Sequence, residues 1–259
     1  MKLAGARVLV TGASRGFGVT IAQAIAGRGA HVIVTGRTEQ ALREVARGIG
    51  ADVVVADLAD PSDVDRLVRD SGEVDVLVAN AALPAAGEVE TFSAEEIDRA
   101  IAVNLRAPMV LSRLLGAGMA SRGRGHVVFV SSVVAVLPTP GLTIYNTTKT
   151  ALANYGLALR AELAPHGVGV SVIYPGAISQ AGMWADAGLT GPTRSPAQVG
   201  RAVVRAVEDN RAEVMVAPVG LRLLILAGRA MPRQVSQLSF KMGASKVIDG
   251  MVQTLKDQR

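Results

Sequence analysis

The sequence contains no cysteine, which excludes a disulfide framework and thiolate chemistry. Histidine is nearly as scarce. His31, His126 and His166 lie far apart along the chain, so no histidine-rich metal site is expected. Aromatic residues make up only 3%, too few for a base-stacking platform, and no zinc-finger or recognition-helix pattern is present. Nucleic acid is therefore not an expected partner. No uninterrupted apolar run reaches the ~18 residues of a transmembrane helix. Residues 1–10 hold one lysine and a short apolar stretch that runs straight into a glycine motif. They read as a first strand rather than a signal peptide, and a cytoplasmic location is the expectation. Internal repeats, low-complexity segments and linkers are also missing, so residues 1–259 are read as a single domain.

What the sequence does have is apolar residues, at 49%. That level suits a parallel sheet whose strands are shielded by helices on both faces. The net charge of +5 is scattered rather than run together, which fits a solvated basic surface and also favours an anionic small molecule. Short β-branched runs predict strands at Arg7–Thr11, His31–Thr35, Asp52–Ala56, Val74–Ala79, His126–Ser131, Gly169–Tyr174 and Glu213–Val216. Helical patterns fall at Gly16–Arg28, Glu39–Gly48, Ser62–Asp70, Ala94–Ser121 and Thr143–Ala164. This alternation predicts an α/β domain: a doubly wound parallel sheet of about seven strands, built from right-handed βαβ units. In such a sheet ligands bind at the carboxyl ends of the strands, near the switch in strand order.

The first predicted strand leads into Thr11-Gly12-Ala13-Ser14-Arg15-Gly16-Phe17-Gly18 and then a helix. Glycines let the backbone turn tightly and approach a bulky ligand. The N–H groups and positive dipole end of the helix suit a pyrophosphate. Gly12 to Gly16 also matches the G-x-S-x-G nucleophile elbow. That reading places the elbow on the first strand and leaves only His166, between Pro165 and Gly167, as a late histidine, so phosphate binding is preferred.

The second strand ends Val34-Thr35-Gly36-Arg37. An NAD-binding fold usually places an acid there for the ribose 2′-hydroxyl. Here a cation follows instead, and a guanidinium suits a 2′-phosphate. Arg15, in the glycine loop, is placed to reach the same group. The expected cofactor is NADP(H).

Ser132 follows the fifth predicted strand, with Tyr145 thirteen residues later and Lys149 four beyond that. On a helix, side chains at i and i+4 share a face. An ammonium at ~4 Å, with an effective dielectric near 20, would favour phenolate by about 4 kcal/mol. That would bring a tyrosine from about 10 to near 7, matched to acid–base work at neutral pH. Ser132 would hydrogen-bond the substrate oxygen as it gains charge.

The T-G-x-x-x-G-x-G turn, Ser132, Tyr145-x-x-x-Lys149 and Pro175-Gly176 together resemble the short-chain dehydrogenase/reductases, from about residue 5 to 180. The resemblance implies a Rossmann-like fold and a hydride exchanged between NADP(H) and a carbonyl or alcohol, with Tyr145 as general acid/base. It implies cofactor contacts from Gly12, Ser14, Arg15, Gly16, Phe17, Gly18 and Arg37. Asp57 and Leu58 would meet the adenine, and Asn80 and Ala81 would support the cofactor. Asn104 would hold a water relaying protons to Lys149, which would also bind the nicotinamide ribose. Pro175, Gly176 and Ile178 would border the nicotinamide. The match is not complete. Ala79 and Ala82 replace the family's first Asn and its Gly in N-N-A-G, and Gln180 stands where a Thr often touches the cofactor. The C-terminus lacks the family's D-G-G ending, so a homo-oligomer is expected without assuming the usual tetramer interface.

Leu83, Pro84, Val134, Leu137, Pro138 and Trp184 fall where the family lines its pocket, so a hydrophobic substrate is expected. Residues 180–259 are read as a substrate loop and a divergent extension. Within 218–246, apolar residues alternate with Arg222, Arg229, Arg233 and Lys241. Packing on the sheet or a partner subunit explains that pattern, and docking on an anionic membrane is the less favoured reading. A non-catalytic NADP(H)-binding regulatory protein is the alternative function, and its expected mark is a broken Ser/Tyr/Lys set.

Overall fold

The computed structural model describes residues 1–137, 139–179 and 192–230. Seven strands, β1 (Arg7–Thr11), β2 (His31–Gly36), β3 (Asp52–Val55), β4 (Val76–Ala79), β5 (Gly125–Val130), β6 (Val168–Pro175) and β7 (Glu213–Val216), form one sheet. Every neighbouring pair is parallel, in the order β3-β2-β1-β4-β5-β6-β7. The helices are α1 (Phe17–Ala26), α2 (Glu39–Ile49), α3 (Pro61–Ser71), α4 (Ala94–Ile101), α5 (Ala107–Ser121), α6 (Thr143–Leu163), α7 (Pro196–Glu208) and α8 (Val219–Ala230).

Successive strand residues point to opposite faces, and here both faces are covered. Val8 and Val10 of β1 join Ile21 and Ile25 of α1, Leu42 of α2 and Val199, Val203 and Val207 of α7 in one core layer. Leu9, between them, joins Leu67 of α3, Leu111, Leu115 and Met119 of α5 and Leu152 of α6 in the other. Each fully buried aliphatic side chain contributes roughly 1.5–3 kcal/mol. That is why a charged residue in the middle of β1 would not be tolerated.

Element bounds agree with the sequence reading to within two residues, apart from one interrupted helix and two helices, α7 and α8, that are not among the helical patterns named above. The helix expected over Ala94–Ser121 is interrupted by one wide turn, Ala102–Arg106, where the Ala107 N–H reaches the Ala102 carbonyl. Pro108 explains part of this, because it has no N–H to give to the Asn104 carbonyl. The whole stretch is apolar enough by composition to span a membrane, but half of its most apolar window is buried in the domain, as in a core helix. Helix α7 is absent from the sequence reading. Its signal was there: Ser195 and Gln198 form a capping box around Pro196.

Candidate active site

The strand order reverses between β1 and β4, so the loops leaving these strands diverge and open a crevice at their carboxyl ends. A cavity of about 320 Å³ lies there.

Its floor is the glycine loop. Gly12 has φ +66°, and a Cβ on it would lie 2.7 Å from Ala81 Cα. A Cβ on Gly18 would lie 2.1 Å from the Gly12 carbonyl oxygen. The first glycine thus lets the β4 loop approach, and the last lets α1 fold back on the turn. Thr11 locks the two loops together. Its Oγ1 accepts the backbone N–H groups of Asn80 and Ala81 at 3.0 and 3.1 Å. Asn80 Nδ2 donates to the carbonyls of Thr11 and Gly12 at 2.9 and 3.3 Å. No side chain caps the start of α1, so its first N–H groups remain for an anion. Ser14, Arg15, Gly16 and Phe17 line the cavity above it.

The ends of β2 and β3 form a second wall with Gly36, Arg37, Asp57 and Leu58. Asp57 Oδ1 accepts the Ala59 N–H at 3.0 Å, and Oδ2 accepts from Arg99 of α4 at 2.8 Å. Burial works to raise the Asp57 carboxyl, but these bonds and the charges of Arg99 and Arg37 outweigh it, holding the group below the usual carboxylate range.

The third wall carries Ser131, Tyr145 and Lys149. Ser132 begins the turn after β5, where its Oγ accepts the Val134 N–H at 3.4 Å, and its hydroxyl is near enough to Tyr145 to pull that phenol's pKa down. Tyr145 sits in the first turn of α6 and Lys149 one turn on. Lys149 is only 2% exposed. Its Nζ donates to the Val130 carbonyl at 2.8 Å and lies 5.7 Å from the Tyr145 ring centroid. Ser131 Oγ donates to the Lys149 carbonyl at 2.8 Å, fixing α6 against β5.

These surroundings correct the expected acidity of Tyr145. Burial pushes its phenol up to about 12, against a smaller downward pull from Ser132. Burial also brings the Lys149 amine down to about 7. A shift toward 7 requires a fully charged ammonium at ~4 Å in a polar medium. Here both groups are desolvated, which disfavours phenolate and ammonium alike.

Asn104 is fully buried behind the wall. Its Oδ1 accepts the Leu83 N–H at 2.7 Å, and its Nδ2 donates to the Leu83 carbonyl at 3.0 Å and to Thr148 Oγ1 at 3.3 Å. It therefore clamps the β4 loop to α6, and the wide helical turn is what delivers it there.

Gly12, Ser14, Arg15, Gly16, Phe17, Arg37, Asp57, Leu58, Asn80, Ala81, Tyr145 and Lys149 thus converge on one cavity, joined by Leu83 and Pro84 of the expected substrate pocket. Gly18, Asn104, Ser132, Pro175, Gly176 and Ile178 are not on its wall. Gly18 acts through packing. Gly176 donates its N–H to the Val216 carbonyl at 2.9 Å, and Ile178 is fully buried in a bridge to Arg194. Pro138, Gln180, Trp184, Arg233 and Lys241 lie outside the described residues. In α8, Ile225 is buried while Val219 and Leu223 are exposed. Arg99 and Ser131 were missed by the sequence reading, and Thr11 was read only as the first residue of the turn motif. Each acts on a residue distant in sequence, and no local pattern shows that contact.

The family model for short chain dehydrogenases matches residues 6–190. The chain belongs to the short-chain dehydrogenase/reductase family. It is 33% identical to the ketoacyl reductase HetN of Nostoc sp., over 91% of this chain and 88% of that one. It is 34% identical to the gluconate 5-dehydrogenase of Gluconobacter oxydans, over 67% and 72% of the two chains. A solved short-chain dehydrogenase from Sphingobium yanoikuyae, in complex with NADPH, superposes with a TM-score of 0.75 at 27% identity, covering 88% of this chain and 94% of that one. The protein therefore has the Rossmann-like fold of an oxidoreductase family acting at CH–OH and C=O groups.

Proposed function

We propose that the protein is an NADP(H)-dependent oxidoreductase acting on a hydrophobic carbonyl or alcohol, with Tyr145 as general acid/base. One observation carries this reading: a single cavity joins the uncapped start of α1, Arg15 and Arg37 to Tyr145 and Lys149. The structure fits the cofactor. A Cβ on Gly16 would meet nothing within 4 Å and would intrude on the cavity that this residue lines. The α1 N–H groups would take the pyrophosphate, Arg15 and Arg37 a 2′-phosphate, and Asp57 the adenine edge. The NADPH bound by the solved relative supports the same choice.

When bound, the cofactor supplies or accepts the hydride. In the reductive direction the Tyr145 hydroxyl would give its proton to the substrate oxygen as that oxygen becomes the alcohol's. A phenol at about 12 holds its proton at neutral pH, ready to donate. Ser132 steadies that hydroxyl and the oxygen gaining charge. Lys149, at about 7, is poised to return a proton to Tyr145. Leu83 and Pro84 supply apolar contact. The alternative, a regulatory protein that binds NADP(H) without chemistry, is disfavoured because Ser132, Tyr145 and Lys149 are all present, with Ser132 acting on the Tyr145 phenol and Lys149 Nζ 5.7 Å from its ring centroid.

The test is absorbance at 340 nm with NADPH and a panel of apolar ketones, aldehydes and quinones. The expected result is substrate-dependent NADPH loss, weak with NADH, with Tyr145→Phe lowering kcat by about 10²–10⁴. A variant as fast as wild type would refute the role of Tyr145, and turnover of small polar carbonyls alone would refute the substrate class.

A further inference from the structure

We propose that Arg99, which is not on the cavity wall, sets the cofactor preference by neutralising Asp57 beside the site of the 2′-phosphate. This rests on the NADP(H) reading above. β2 and β3 are neighbours in register, with Gly36 opposite Val55. Arg37 and Asp57, just beyond that pair, therefore emerge side by side, and both line the cavity. Arg37 is close enough to act on the Asp57 charge. An unmatched carboxylate in this corner would repel a phosphate held by Arg37 and would draw on the same guanidinium.

Arg99 removes that conflict. It arrives from α4, 42 residues along the chain, and its guanidinium meets Asp57 Oδ2 at 2.8 Å. A second acid, Asp63, accepts the Asp57 N–H through Oδ2 and is itself matched by Arg66 through Oδ1. Each of these two acids thus has a hydrogen-bonded arginine that is neither Arg15 nor Arg37, and Arg37 adds only a charge effect on Asp57. The Arg99 and Asp57 side chains are 35% and 33% exposed. A pair so open to water adds little to stability, so anchoring α4 is a weak explanation for it. Control of the local charge, where an anionic end must bind, is the stronger one. Arg99 is then a positioning residue: it acts through Asp57, keeping that carboxylate turned to the adenine edge rather than opposing the phosphate.

The decisive readout is the ratio of NADPH to NADH affinity, from direct titration of the full chain. Wild type should bind NADPH at least about tenfold tighter. Arg99→Gln should weaken NADPH about five- to tenfold and NADH by less than about twofold. Arg99→Lys should keep the preference. Asp57→Asn combined with Arg99→Gln should restore the ratio to within about twofold of wild type. Equal losses with both cofactors, or no rescue by Asp57→Asn, would overturn the inference and leave Arg99 as a tie between α4 and the β3 loop. Should Arg99→Gln fail to fold, Asp57→Asn alone decides: the NADPH preference should rise, and an unchanged ratio overturns the inference. A wild-type preference that survives Arg99→Gln sinks only this inference. A wild type with no preference sinks the NADP(H) reading and the inference with it.

Discussion

Lys149→Met should make the protein more stable while abolishing its chemistry. Burial brings the Lys149 amine from 10.5 to about 7. At about 1.36 kcal/mol per unit, keeping it charged costs the fold about 5 kcal/mol. The unfolded chain holds the proton up to 10.5, while the folded chain releases it near 7. Between these values unfolding takes up a proton, so stability rises with pH. The deficit is complete below pH 7 and gone above 10.5. Methionine keeps the apolar stem and removes the amine. It forfeits one hydrogen bond to the Val130 carbonyl, at about 1–3 kcal/mol. The net gain at neutral pH is then about 2–4 kcal/mol, a rise in Tm of roughly 5–10 °C for a chain of this size. Thermal melts of both proteins without added cofactor, from about pH 6 to pH 10, measure it. The gap should be widest at the acid end and close as pH rises. A variant melting below wild type at neutral pH, or a gap that ignores pH, would refute the claim that a buried charge is held here at the expense of stability. Such an exchange is expected where activity requires a strained site.

Gly18→Ala places a Cβ 2.1 Å from the Gly12 carbonyl oxygen, so it should cost at least about 1–3 kcal/mol by overpacking and abolish NADPH binding in the same titration. Asn104→Ala deletes three buried hydrogen bonds to Leu83 and Thr148. Urea unfolding should show a loss of about 2–4 kcal/mol, and kcat should fall as the β4 loop loosens. His126, buried against Ser171 at 2.8 Å, is lowered to about 3, first by burial and then by the N-terminal charge and Arg160. It stays neutral in the fold while the unfolded chain protonates below 6.5. Stability should therefore fall as pH drops from 6.5 toward 3, by at most about 5 kcal/mol. His126→Gln should flatten that slope, and an unchanged slope would show that another group controls acid unfolding.

The legible and illegible parts of this molecule differ in the range of the interactions that make them. The glycine turn and the Tyr145–Lys149 pair are short-range: a strand, a turn and a helix in one case, one helical turn in the other. Both were readable because local geometry nearly fixes the outcome. Asn104, Arg99 and Thr11 find partners 21 to 70 residues away; the resemblance marks Asn104 and the turn motif contains Thr11, but nothing beside them in sequence says which residues they hold. The expected unbroken helix over residues 94–121 failed for a related reason. Its periodicity is helical throughout, but Pro108 and the partners of Asn104 together favour one wide turn. The expected acidity of Tyr145 failed differently. Spacing gave the proximity of the two groups correctly, while the sign of the shift depended on burial, which spacing does not contain. Folding that places Lys149 under β5 desolvates it and Tyr145 together, so the proton rests on the phenol and the amine titrates near neutrality. The same burial that weakens the fold therefore gives the site a donor that is loaded at neutral pH and a neighbour able to reload it.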